Sequence, residues 1–74
     1  MTAYDFARQM TTYYTIVAYI RVHGYPPTLD ELCDERRLGR NGICVHLRQL
    51  EERGLITRTR GWRNIRLPEK GRAA

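Results

Sequence analysis

Between Asp5 and His23 the larger apolar residues fall at Phe6, Met10, Tyr13, Val17 and Ile20, with Ile16 widening the stripe. Steps of three and four place them on one face of a helix. Thr2 or Asp5 suits its start, and Gly24 stands where a left-handed residue ends a helix. Pro26 and Pro27 then bar Tyr25 and Pro26 from helical geometry. Thr28 followed three residues on by Glu31 is a capping box, so a second helix is predicted through "LDELCDERR", with Leu29, Leu32 and Cys33 inward. Two glycines interrupt the pattern in "LGRNG". Helical spacing resumes in "ICVHLRQLEER" through Ile43, Leu47 and Leu50, and Gly54 ends this third helix.

Beyond Gly54 the period shortens. "LITRTR" is rich in β-branched residues, and "NIRL" alternates, with Ile65 and Leu67 on one side and Asn64 and Arg66 on the other. Between them lies Arg60-Gly61-Trp62-Arg63, the tip of a predicted β-hairpin. Pro68 ends the second strand, and residues 69–74 read as a frayed tail. The expected fold class is α+β, mainly α: three helices and a two-stranded wing, the order of a winged helix-turn-helix, in one domain over residues 1–68.

Composition adds the sign of the partner. A chain of 74 residues that is 42% hydrophobic and 28% charged has room for one small core. Its net charge of +5 is unevenly spread: residues 1–35 carry two arginines against five carboxylates, residues 36–74 eleven Lys/Arg against three. A one-sided basic half attracts polyanions. The run "TIVAYI" is far too short to span a bilayer, so a soluble, unexported, cytoplasmic and nucleoid-associated protein is expected, with no membrane partner. Cys33 and Cys44 are then expected as free thiols.

"GYPPTLDEL", "HLRQLEERGLI" and "NIRL", with "FARQ" near the start, resemble the N-terminal DNA-binding domain of LexA-type SOS repressors over about residues 5 to 67. The resemblance implies a third helix in the major groove and a hairpin along the backbone. It places the base-reading segment at Asn41, Gly42, Cys44 and Val45, with Gly39 and Arg40 just before. Only Asn41 keeps the family's residue type. The family carries acidic residues where Cys44 and Val45 stand, so a different operator is expected. Arg36-Arg37 replaces the family's Leu-Gly in the turn and adds positive charge beside the reading helix. LexA-type proteins continue into a self-cleaving, dimerising domain; without its Ser/Lys pair no cleavage switch is expected, and a dimer has to be made by this domain.

Arg40, Asn41, Gly42, Cys44, Val45 and Arg48 lie off the Ile43/Leu47/Leu50 stripe, so they are the expected base readers. Asn can bond adenine at two points, Arg can fork onto guanine, and a small apolar group meets a thymine methyl. Arg36, Arg37, Arg53, Arg58, Arg60 and Arg63, with Trp62, are the expected phosphate and wing contacts, and Arg66 adds to the hairpin's charge. Trp62 either meets DNA or a partner, or folds back across its own hairpin. Cys44 and His46, two apart on a helix, point different ways, so neither metal nor cofactor is expected. The carboxylates Asp30, Glu31, Asp34 and Glu35 suit a helix N-terminus, and with no nucleophile or pocket beside them an enzyme is not expected. Tyr14 and Tyr19, off the core stripe, are candidates for a dimer contact.

The function expected is therefore sequence-specific binding of double-stranded DNA by a transcriptional regulator, a repressor by its lack of an activation or ligand domain, of a size suited to a phage or mobile element. A homodimer on DNA and a protein partner complete the expectations. The alternative is a winged-helix module that uses the same basic and aromatic surface to bind another protein.

Overall fold

The computed structural model describes residues 2–68. The predicted tail, residues 69–74, lies outside them. Helix α1 runs Ala3–His23, α2 Leu29–Arg36 and α3 Arg40–Glu52, followed by strands β1 Thr57–Arg58 and β2 Ile65–Arg66.

Two capping boxes start the first two helices. Thr2 Oγ1 accepts from the Asp5 N–H while the Asp5 carboxylate accepts from the Thr2 N–H, so Thr2 rather than Asp5 is the cap. Thr28 and Glu31 repeat the arrangement at α2. Helix α1 ends at Gly24 in the left-handed region, φ 82°. Helix α2 ends one residue earlier than expected, because Arg37 itself turns left-handed at φ 55°. Helix α3 begins earlier than expected: Gly39 caps it, and Arg40, Asn41 and Gly42 form its first turn. The glycine at 42 weakens the helical pattern without breaking the helix.

The three helices, Ile56 just before β1 and Ile65 of β2 close on one core of Ile16, Leu32, Ile43, Leu47, Leu50, Ile56 and Ile65. Leu29 and Cys33 pack against it, as expected of the inner face of α2. The stripe predicted for α1 needs a correction. Phe6 is 42% exposed, whereas Gln9 and Thr12 are buried alongside Ile16. The helix is rotated so that polar groups meet polar partners on α3: Gln9 bonds Gln49, and Thr12 Oγ1 lies 2.8 Å from His46 Nδ1. Phe6 instead lies under the Arg53 guanidinium, 4.6 Å from its ring centre.

The strands are shorter than their β-branched runs suggested. They pair antiparallel, Thr57 opposite Arg66 and Arg58 opposite Ile65, and a further bond runs from the Thr59 N–H to the Asn64 carbonyl at 2.9 Å. Ile65 faces the core and Arg66 the solvent, as the alternation required. Positive φ at Gly61 (98°) and Arg63 (51°) folds the tip.

Candidate nucleic-acid interface

Helix α3 divides cleanly. Ile43, Leu47 and Leu50 are buried, while Arg40, Asn41, Gly42, Cys44, Val45 and Arg48 are all exposed. Asn41, Cys44, Val45 and Arg48 follow the 3–4 spacing of one stripe, so a groove wide enough for a helix would meet them together. Arg40 leans off that stripe into an ion pair with Asp30 of α2, both ends exposed.

The start of α3 is open. Gly39 offers no side-chain cap, and a Cβ at Gly39 or Gly42 would meet nothing within 4 Å. Among the described residues nothing demands glycine at position 42, where it costs about 1 kcal/mol relative to alanine. The uncapped N–H groups and the bare first turn allow close approach by an anion such as a phosphate.

The basic residues of the sequence part into two sets. Among the described residues, the side chains of Arg37 in the turn, Arg48 on α3 and Arg60 at the wing tip are exposed and engage no internal partner. Arg58 stands between the sets, 3.3 Å from Glu51 and partly exposed. Arg53 lies over Phe6 and donates to Gln9.

Arg36 and Arg63, expected among the phosphate contacts, are turned inward. Arg36 Nε donates to Thr12 Oγ1 at 2.9 Å and an Nη to the Arg8 carbonyl at 3.4 Å. Arg63 forks onto both oxygens of Glu31 at 2.8 and 3.0 Å, and also donates to the Pro26 carbonyl at 3.0 Å. Its guanidinium lies 4.4 Å from the Tyr25 ring centre and 4.8 Å from that of Trp62. Trp62 thus rests on Arg63 yet remains 78% exposed.

Two polar clusters went unseen in the sequence. In one, the Glu31 carboxylate receives Arg63, the Thr28 N–H and the Tyr19 hydroxyl. The Arg63 bond foremost, then that from Thr28, holds its carboxyl down at about 2. In the other, Arg36 donates to the buried Thr12 hydroxyl, which also lies within hydrogen-bond distance of His46 Nδ1 and the Arg8 carbonyl. Burial, ahead of the Arg8 and Arg36 charges, pushes the His46 imidazole below its ordinary value. The clue to the second cluster was present: Gln9 and Thr12 stand at core spacing from Ile16, as do His46 and Gln49 beside Leu47 and Leu50.

Cys44 is exposed and Cys33 half-buried, both as free thiols, and burial pushes the Cys33 thiol up. Among the described residues no three His, Cys, Asp or Glu side chains are grouped to hold a metal, and no helix is long and apolar enough to cross a membrane.

Two helices joined by a tight turn, the second presenting an exposed face, with a basic hairpin beside it, define a winged helix-turn-helix. Residues 6–63 match the family model of the LexA DNA-binding domain, and the chain belongs to that family of DNA-binding rather than catalytic domains. It is similar to the LexA repressor of Pseudothermotoga lettingae, 34% identical over 58 residues, which are 78% of this chain and 29% of that protein. The LexA repressor of Geotalea uraniireducens is 42% identical over 55 residues, 73% of this chain and 27% of its own length. The chain therefore spans under a third of the curated relatives it matches.

Proposed function

We propose that the protein is a sequence-specific repressor of transcription, with α3 in the major groove of double-stranded DNA and the wing along the phosphate backbone. One observation carries this reading: the face of α3 that bears Asn41, Cys44, Val45 and Arg48 is exposed, and the unengaged arginines Arg37, Arg48 and Arg60 lie on the turn, the helix and the wing of a LexA-family domain. Asn41 and Arg48 supply hydrogen bonds to base edges, Val45 and Cys44 apolar contact, and Arg37, Arg60, Arg58 and the start of α3 neutralise phosphates. A symmetric operator would be held by two copies.

Selection from a random duplex library at about 0.1 M salt tests it, with an enriched inverted repeat expected. On that site, log K should fall against log salt with a slope of roughly −4 to −5, for about 4–6 phosphates neutralised per copy. Arg60→Ala should flatten the slope by about one without changing base preference, and Asn41→Ala should relax preference at one position by about 1–3 kcal/mol. Equal binding of all sequences by the unaltered protein would sink the specific-reader proposal and direct the basic, tryptophan-tipped wing toward a protein partner.

A further inference from the structure

We infer that Arg63 is a positioning residue that latches the wing to α2, leaving Arg60 and Trp62 as the parts of the wing tip that meet DNA. The inference rests on the proposed placement of the wing along the backbone.

Four observations converge on Arg63. Its fork engages both Glu31 oxygens, a bidentate arrangement that fixes orientation as well as distance. A third bond reaches the Pro26 carbonyl, so one side chain ties the hairpin to the segment leading into α2 and to its first turn, 37 and 32 residues away. Its guanidinium lies against Tyr25 on α2's approach and Trp62 on the hairpin. Its own backbone is left-handed at φ 51°, a conformation that costs a non-glycine residue energy and persists where surrounding contacts hold it.

Only four residues are paired in the hairpin's strands and of these only Ile65 is buried in the core, so the pairing and that anchor leave the tip beyond them weakly oriented. The latch supplies the missing constraint. Glu31 is itself pinned, by the Thr28 N–H and the Tyr19 hydroxyl, so the wing is referred to both α1 and α2. A phosphate drawing Arg63 away would have to displace a carboxylate held on both oxygens. Arg60, two residues after β1 and with no partner among the described residues, meets no such competition.

Three variants separate latch from phosphate contact. Arg63→Lys keeps the charge and loses the fork. Glu31→Gln removes the carboxylate while keeping a residue that serves a capping box, so α2 retains its start. Arg60→Ala is the reference for a lost phosphate contact. Affinity for the selected duplex is measured against salt, and the emission of Trp62, the only tryptophan, reports the wing. The latch predicts that R63K and E31Q each weaken binding roughly tenfold, and that the double variant is no worse than the weaker single one. Their salt slopes should equal that of the unaltered protein, while R60A loses about 0.9. Trp62 emission should shift in both free variants. Near-normal binding by R63K with no change in E31Q would overturn the latch and return Arg63 to the phosphates. A slope unchanged in R60A would instead remove the wing from the backbone; Trp62 emission then decides the latch alone, and an unshifted spectrum in E31Q overturns it.

Discussion

Arg37 occupies the position in the turn where an L-residue is least comfortable. At φ 55° its Cβ crowds the following carbonyl, a cost of about 1–2 kcal/mol that glycine avoids. The fold offsets that strain with the bonds from the Arg37 N–H to the Asp34 carbonyl and from the Leu38 N–H to that of Cys33. Among the described residues the Arg37 side chain finds no bonding partner. A strained residue whose side chain serves no internal purpose suits a contact outside it. Arg37→Gly should therefore raise the free energy of unfolding by about 1 kcal/mol in urea while flattening the salt slope of DNA binding by about 0.9. Destabilisation would refute the strain argument, and an unchanged slope would remove Arg37 from the phosphate contacts.

At the level of elements, the polar seam between α1, α2 and α3 governs how α3 is seated. Thr12 is wholly buried, and its hydroxyl joins Arg36 on α2 to His46 on α3. Thr12→Val nearly preserves shape but strands the Arg36 Nε and the His46 Nδ1 where water reaches them poorly. Loss of about 1–3 kcal/mol is expected in chemical denaturation, with an unchanged dependence on denaturant. A cost under about 0.3 kcal/mol would show the seam to be solvated instead. This seam also marks the limit of reading one helix at a time. The elements, their order and the outward face of α3 were legible because capping boxes, Gly24, the Gly-rich turn and the 3–4 spacing are local signals. The rotation of α1 was not, since burying Gln9 and Thr12 in preference to Phe6 depends on Gln49, His46 and Arg36, residues 24 to 40 positions away. Arg63 escaped for the same reason. Locally it is one more arginine in a basic strip, and only the tertiary fold brings Glu31 beneath it.

Over the whole molecule, an acidic first half and a basic second half meet at the start of α2, where Asp30 pairs with Arg40 and Glu31 with Arg63. Folding therefore depends on pH in two stages of the same sign. His46 titrates below its ordinary value of 6.5 in the fold, so in that window the unfolded chain binds more protons, and stability falls as pH drops below 6.5 until the folded imidazole also protonates. Glu31 titrates at about 2 in the fold against 4.5 ordinarily, so its contribution, complete above 4.5, is lost as pH falls toward 2. Urea midpoints measured from pH 8 down to 2.5 should decline first through the His46 window and again below 4.5. His46→Asn should lower the starting stability and remove the first decline, and Glu31→Gln should do the same for the second. The two groups differ in what their protonation within the fold does to DNA binding: that of His46, which comes only below the window of the first decline, loosens the seat of α3 on α1, and that of Glu31 frees the wing. As pH falls from 6.5 toward 4.5, where Glu31 is still ionised, any weakening of DNA binding should therefore appear at the bases α3 is proposed to read, with the salt slope of the wing unchanged. A slope that falls over that same range would show that the two regions do not act independently.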